Sequence, residues 1–246
     1  MQKIKKRVNV YIDGFNLYYG LLEAEKNKNW QNLLWLNLWG LANSIAFQYG
    51  KLQSVKYFTS DVTHPPEKLK RQRIFLRAIK TGGNIDIIKG NFERNQKKCD
   101  DCADKLICNN CKRRQYKIVE KKTDVNIANE MLKDAFLNRC DVLVLLSGDS
   151  DLISPIECIH KHTTHKIISS YLPTRKSDAI IDVADNSFKL TEKFVKKQLF
   201  PDRIQISPKK YIDRPDFGED KFKPNEVTRM IKILKIMCDS LYKLFS

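Results

Sequence analysis

The sequence predicts an α/β protein, a parallel sheet sandwiched by helices in three layers. Two observations carry that prediction. Short apolar runs alternate along the chain with segments whose apolar residues recur at helical spacing. One of those runs, DVLVLLS at 141–147, is apolar enough to be a central strand buried on both faces, as parallel sheets require.

In chain order, VNVYI (8–12) reads as a buried strand that stops at Asp13 and turns on Gly14, with a helix starting across 16–24. LLWLNLWGLANSIAF (33–47) repeats apolar residues at helical spacing, and LQSVKYFT (52–59) is strand-like. Pro65 and Pro66 break the chain before a basic helix at 67–80, which Gly82 and Gly83 end. IDIIKG (85–90) is a third strand. A cysteine-rich segment follows, then a helix at 124–136 with Val125, Ala128, Leu132 and Ala135 on one side. Beyond the strand at 141–147 come a helix at 151–162, a strand at 166–172 and a helix at 176–184. There is no internal repeat and no low-complexity tract.

From about residue 198 the chain becomes rich in proline and charge and reads as a linker, ordered at least in part. A last helix, 225–245, carries Val227, Met230, Ile231, Leu234, Met237, Leu241 and Leu244 on one face. That face either closes over its own domain or docks a second copy, which would make a homodimer. The expected organisation is a domain over 1–197, with an insertion at about 91–120, followed by a linker and amphipathic helix over 198–246.

Composition bounds the function. With 246 residues, 42% apolar, the chain can bury one sizeable core, or one domain and an appendage. Its 45 Lys and Arg against 29 Asp and Glu give a net charge of +16. Such an excess points to a polyanionic partner, because basic surfaces gain affinity by releasing counterions from phosphates. A soluble protein from a lysine-rich proteome would show the same imbalance. The apolar stretch after the basic MQKIKKR ends at Asp13, too soon for a secretion signal. No run approaches the roughly 18 apolar residues of a membrane-spanning helix. A cytoplasmic location is therefore expected, with no membrane partner and the seven cysteines reduced.

The carboxylates narrow the reading. In a parallel α/β sheet, sites form outside the carboxyl ends of the strands. Asp13 follows the first strand directly, and LLSGDSDLI places Asp149 and Asp151 just past the strand at 141–147. Asp124 opens the helix after EKKT. Each of these is also a good capping residue or a complement to a helix dipole. Together, however, acids crowded at one sheet edge repel each other unless a cation is present. Hard oxygen ligands suit Mg²⁺, which keeps several waters and can activate one of them.

The segments YIDGFNLYYG, EKKTDVNIANEMLKDAF, LLSGDSDLISPI and LPTRKSDAIIDVADNSFKL resemble, in order and spacing, the signature segments of the NYN domain family. That family, which includes bacterial LabA-type proteins, is a branch of the PIN-like ribonucleases, and the likeness covers about residues 7 to 202. It implies a PIN-like parallel sheet flanked by helices and a metal-dependent endoribonuclease. Mg²⁺ or Mn²⁺ would be held by Asp13, Asp124, Asp149 and Asp151, with Asn16 orienting a ligand or a water. In the loop after 166–172, Arg175, Lys176 and Ser177 match a family position that could contact RNA phosphate. A merely basic loop would look the same.

CDDCADKLICNNC supplies Cys99, Cys102, Cys108 and Cys111 in a C-x2-C-x5-C-x2-C pattern, two thiolate pairs that can close a tetrahedral Zn²⁺ site. With all four positions filled by protein, such a zinc is structural. In a reducing compartment a disulfide pair is the weaker alternative, and an iron–sulfur cluster is weaker still. Basic arms carrying Phe92 and Tyr116 flank this knuckle, and Lys112, Arg113 and Arg114 follow it. Basic residues interleaved with aromatics suit single-stranded or structured RNA, although a zinc staple that only closes a loop explains the cysteines equally well. Cys140, Cys158 and Cys238 read as buried fillers, and His160, His162 and His165 as a solvated helix end.

Two other functions compete with hydrolysis of RNA. One is a nucleic-acid-binding module whose nuclease site is latent or partner-dependent. The other is a DNA nuclease with the same acids. An aspartyl phosphatase is disfavoured, because Asp13 is followed by Gly14 and Phe15 rather than by a second aspartate two residues on.

Overall fold

The structure, a computed structural model, describes residues 5–30, 32–62, 65–97 and 115–217. The chain runs β1 (Arg7–Asp13), α1 (Gly14–Lys28), α2 (Leu38–Ala46), β2 (Lys51–Thr59), α3 (Pro66–Ile79), β3 (Ile85–Lys89), β4 (Asn91–Lys97) and β5 (Gln115–Lys121). It continues with α4 (Thr123–Phe136), β6 (Val142–Leu146), a 3-10 turn (Ser150–Leu152), α5 (Ile153–His162), β7 (Lys166–Tyr171) and α6 (Asp178–Val183). Then follow β8 (Asn186–Lys189), α7 (Glu192–Lys196), β9 (Arg203–Ser207) and β10 (Lys210–Asp213).

Six strands form one parallel sheet in the order β3-β2-β1-β6-β7-β8. The α/β class and the parallel, helix-flanked sheet are as the sequence predicts. From β1 the chain first winds outward to β2 and β3, then returns through α4 to β6 and winds the other way. The strand order therefore reverses between β1 and β6, and a crevice at that point is where such sheets place their sites.

Alternation along the strands divides two cores. Tyr11, Leu143 and Leu145 face α4 and α5, packing with Ile127, Met131, Ile156 and Ile159. Val10 and Ile12, fully buried, point to the opposite side, where α1 and α2 lie against β1 and β2. A polar cluster crosses the first of these cores. Asp134 of α4 is 1% exposed, and its Oδ2 accepts from Lys56 Nζ at 2.5 Å, Tyr11 Oη at 2.7 Å and Asn9 Nδ2 at 2.9 Å. Lys56 and Tyr11 are cross-strand neighbours, and Lys56 also donates to Glu130 at 2.7 Å. Burial pushes the Asp134 carboxyl up, but the bonds from Lys56 and Tyr11 outweigh it and hold the group below its ordinary range.

Helix α4 shows one local departure from expectation. The inward side of α4 is Thr123, Ile127, Met131, Asp134 and Ala135, while Val125 is 60% exposed. Of the face that apolar spacing favours, Ala135 is buried and Ala128 and Leu132 pack against the core, so Val125 alone departs from it.

Other differences are local. The stretch 33–37 is not helical: Asn37 caps α2 by accepting from the Gly40 N–H, Leu36 bridges to Leu199, and the Trp35 indole donates to the Pro201 carbonyl. The helix expected from 176 begins at Asp178. Beyond it, β8 and α7 are additional elements, and the stretch read as a linker from 198 contains the antiparallel hairpin β9–β10. Strands β4 and β5 pair as an antiparallel ribbon whose arms flank residues 98–114. The four knuckle cysteines, Lys112, Arg113 and Arg114 lie outside the described residues, as does the helix expected at 225–245.

Candidate active site

The site is built where β1 and β6 end side by side. Asp13 is the last residue of β1 and the N-cap of α1, 5% exposed. Its Oδ1 accepts the Asn16 N–H at 3.0 Å, and its Oδ2 accepts the Ser147 hydroxyl at 2.9 Å. The turn into α1 leaves no room for a side chain at Gly14: a Cβ there would stand 2.6 Å from the Phe58 carbonyl and 2.7 Å from the Tyr57 ring and hydroxyl. Tyr57 is thereby packed beside the acid. Burial pushes its phenol well above the ordinary range, with the Asp13 charge adding to the effect, so it stays a neutral hydroxyl in contact with Thr59.

On the β6 side, Ser147 Oγ also accepts the Asp149 N–H at 3.2 Å, and Asp149 Oδ1 caps the 3-10 turn by accepting the Asp151 N–H at 3.0 Å. Asn16 Oδ1 accepts the Gly148 N–H at 3.2 Å, which ties the two strand ends together. The electrostatic consequence falls on Asp13. Burial raises its proton affinity, the hydrogen bonds from Asn16 and Ser147 oppose that, and the nearby charge of Asp149 raises it further, for a net upward shift. Among the described residues no basic side chain forms an ion pair with Asp13 or Asp149.

Asp124 and Asp151 share this edge. Asp124, half-buried, sits in the first turn of α4. That turn lies above the strand ends, because Asn126 Nδ2 donates to the Lys89 carbonyl at the end of β3 at 3.4 Å. The far end of α4, at Asp134, reaches back over Asn9 and Tyr11. Asp151 is exposed on the 3-10 turn. Even so, no group of three or more His, Cys, Asp and Glu side chains among the described residues is arranged to hold a metal ion. The acids brought together are Asp13 and Asp149. A pair is what Mg²⁺ asks of a protein, since it usually binds one or two carboxylates and completes its shell with waters and phosphate. Two mutually repelling acids without a basic partner among the described residues fit that chemistry.

The loop after β7 closes one flank. A Cβ on Gly148 would lie 2.2 Å from the Arg175 carbonyl, so this loop is pressed onto the Asp149 turn. Thr174 Oγ1 donates to the Gly20 carbonyl at 2.7 Å, and Arg175 pairs with Glu23 of α1 at 2.5 Å. Lys176 pairs with Asp178, and Ser177 precedes α6 without a side-chain cap. Both cations border the site but are already matched by carboxylates. Tyr116 lies on β5. Of the remaining residues singled out in the sequence, Cys140 is buried, its thiol pushed up to about 12 by that burial, and Cys158 is half-buried. His160 bonds Asp185 at 2.8 Å, in a cluster with Lys166 where β7 begins rather than where it ends.

Ser147, Tyr57 and Thr59 escaped the sequence reading. Ser147 was within reach of it, since it follows β6 directly, as Asp13 ends β1. Nothing in LQSVKYFT separates Tyr57 from its strand neighbours until Gly14 is seen packed against it.

The profile of the NYN domain matches residues 7–191, three quarters of the chain. The chain belongs to the NYN domain family. Among curated proteins, this NYN chain is 29% identical over 182 residues to 6-hydroxy-3-succinoylpyridine 3-monooxygenase HspA of Pseudomonas putida (strain DSM 28022 / S16). The alignment takes in 65% of the chain and 58% of HspA, so the chain spans little more than half of that relative. Among solved structures it is similar to a protein of unknown function from Vibrio parahaemolyticus RIMD 2210633, with a TM-score of 0.50 and 20% identity, over 78% of this chain and 97% of that one. A Sir2 structure determined for sirtuin substrate affinity covers 78% of the NYN chain and 92% of its own, at a TM-score of 0.37 and 12% identity. The Vibrio likeness bears on the fold alone. The family itself makes the protein a PIN-like, nuclease-type α/β domain, and no helix among the described residues is long and apolar enough to cross a membrane.

Proposed function

We propose that this NYN protein is a metal-dependent endoribonuclease. The observation that carries the reading is the Asp13–Asp149 pair, a buried acid and its acidic neighbour at the reversal point of the sheet with no basic partner among the described residues. Asp13 and Asp149 would hold Mg²⁺ or Mn²⁺, with Asp124 and Asp151 on the same edge to receive its waters. The ion, when bound, polarises the phosphate and makes water a better nucleophile at neutral pH.

The chain's own groups prepare that site. Ser147 and the Asn16 N–H fix the Asp13 carboxylate and favour its ionised form. Asn16 spends its Oδ1 on Gly148, which leaves Nδ2 to donate to a phosphate oxygen. Water bonds to phosphorus as the bond to the leaving ribose oxygen breaks; the water's proton passes to solvent, and the departing oxygen takes one up. The net charge of +16 supports a polyanionic substrate.

Cys99, Cys102, Cys108 and Cys111 would hold a structural Zn²⁺, and Lys112, Arg113, Arg114 and Tyr116 would lie along the RNA; the support for both is the sequence pattern. One zinc per chain, released when the thiols are blocked, is the expected result of metal analysis.

The test is cleavage of end-labelled single-stranded and hairpin RNA, with matched DNA, in Mn²⁺ or Mg²⁺ against EDTA, with Asp149→Asn alongside. Metal-dependent cuts in RNA that vanish in the variant are expected. Binding without cuts in any metal would leave the latent module, and cuts confined to DNA would make it a DNA nuclease.

A further inference from the structure

Helix α3 carries a row of cations that the acid site does not use. Lys70, Arg73, Arg77 and Lys80, its C-cap, are all exposed. Spacings of three, four and three residues put them on one face of the helix. Gln72, Phe75 and Ile79 hold the opposite face inward: Phe75 meets Tyr57 edge-on at 6.3 Å, and Ile79 is buried. Among the described residues no carboxylate pairs with any of the four cations, and Glu67 is the only acid of α3. Like charges three and four residues apart repel along a helix, so the row weakens α3 unless an anion lies on it. Lysines on two other helices are matched at such spacings, Lys133 by Glu130 and Lys196 by Glu192.

The row leads away from the acids. Gln72 donates to the Ser60 carbonyl and accepts the Val62 N–H, both at 2.8 Å. These bonds seat the start of α3 at the end of β2, where Phe58 is the register partner of Asp13. From there the helix runs back toward the start of β3, and at about 1.5 Å per residue the four cations span about 15 Å.

We infer that the Lys70–Arg73–Arg77–Lys80 face of α3 is a rail for the phosphates of RNA flanking the scissile bond, a contact that short substrates cannot reach. This rests on the nuclease reading and adds which part of the substrate is held, and where. A single small anion needs cations that converge on it, whereas a straight row of separated cations matches a charge that repeats, as along a sugar–phosphate backbone. An anionic membrane repeats its charge too, but peripheral membrane helices also insert large apolar side chains. Among the described residues none of the exposed large apolar side chains lies on α3.

Binding is measured by fluorescence anisotropy in EDTA, and cleavage in Mn²⁺, on a trinucleotide RNA and on a strand of about 20 nucleotides. These lie below and above the roughly 4–16 nucleotides that a backbone-tracking groove covers. Phosphatidylserine vesicles are run alongside. Wild type is compared with the triple variant Lys70→Gln, Arg73→Gln, Arg77→Gln. A control carries Lys28→Gln, Lys161→Gln and Lys193→Gln, which remove the same charge from exposed positions on α1, α5 and α7. On the long strand the rail variant is expected to bind about ten-fold more weakly, with the slope of log Kd against log salt smaller by about 2. Its KM should rise with kcat unchanged, while trinucleotide cleavage and the control stay close to wild type. Should the triple variant lose thermal stability, Arg77→Gln alone decides, with a slope smaller by about 0.7. Unchanged affinity and slope in the rail variant, or an equal loss in the control, would overturn the rail while the nuclease reading stands. Affinity lost for vesicles but kept for RNA would also overturn it, making α3 a lipid-facing surface. A rail effect on binding in a wild type that cuts no RNA in any metal would overturn the nuclease reading alone. No binding of the long strand by the wild type would overturn both.

Discussion

The Ser147 hydroxyl donates to Asp13 Oδ2 at 2.9 Å, joining the ends of two adjacent strands, β1 and β6, that lie 134 residues apart in sequence. The bond sits at the one place where the sheet reverses its winding. It holds the buried acid in one orientation and works against the desolvation that raises its proton affinity.

Removing that hydroxyl is therefore predicted to act through Asp13. In Ser147→Ala the carboxyl loses a donor that favours its ionised form, so its proton affinity rises further. Activity should fall by about 10–100-fold, as for other groups that orient a metal-bound carboxylate. The acid limb of the pH–rate profile should move to higher pH. A uniform drop with an unmoved limb would give Ser147 a merely structural role.

Asp13 itself sets up a trade of stability against function. Its folded-state proton affinity is raised, chiefly by burial, so the native state binds the proton more tightly than the unfolded chain does. Stability in the absence of metal should accordingly decline as pH climbs from the ordinary carboxylate range through the raised folded value. Asp13→Asn should lift that penalty, raising the thermal midpoint at neutral pH by about 2–4 °C for each kcal/mol relieved, while activity drops by at least about 100-fold. Thermal scans at several pH values check the first part, and the gain should vanish at acid pH.

Much of this arrangement was legible in the sequence. VNVYI stopping on Asp13 and DVLVLLS leading into Gly148-Asp149 mark two strand ends, and the rule that parallel sheets carry sites there places both acids together. Spacing could not tell that Asp124 and Asp151 reach the same edge without closing into a ligand set, because that depends on how α4 and the 3-10 turn sit on the sheet. Nor could it show that 33–37 is not helical. The periodicity through Leu33, Leu34 and Trp35 suits a helix, but Asn37 caps α2, and Trp35 and Leu36 are held by Pro201 and Leu199 far along the chain. Arg175 and Lys176 illustrate the same limit, since their partners Glu23 and Asp178 become visible only in three dimensions.

The buried cluster around Asp134 should be costly to break from one side. Lys56→Met leaves a carboxylate that is 1% exposed without its hydrogen-bonded cation, with Arg139 3.7 Å from its other oxygen, and is predicted to destabilise the fold by about 3 kcal/mol. Because the folded Asp134 carboxyl lies below its ordinary range, its contribution is full above the unfolded value and fades as pH falls through the folded one. The Lys56→Met penalty should shrink accordingly in acid. Lys56→Met combined with Asp134→Leu should recover part of the loss in denaturant titrations, whereas additive losses would contradict a direct pair.

Gly148 tests the junction between the acid turn and the loop after β7. A methyl group at this position would meet the Arg175 carbonyl at 2.2 Å, too close for any side chain. Gly148→Ala should cost about 1–3 kcal/mol and displace either Asp149 or the loop held by Thr174 and Arg175. Activity should fall more than the change in thermal midpoint explains at the assay temperature.

The most direct measurement is the thermal midpoint of metal-stripped protein as Mn²⁺ is added, for wild type, Asp13→Asn and Asp149→Asn. If the two acids hold the ion, wild type should gain about 2.7 kcal/mol at a hundred-fold excess of Mn²⁺ over its Kd, and neither variant should respond over that range. An equal rise in all three proteins, or none in the wild type, would contradict a cation bound between Asp13 and Asp149.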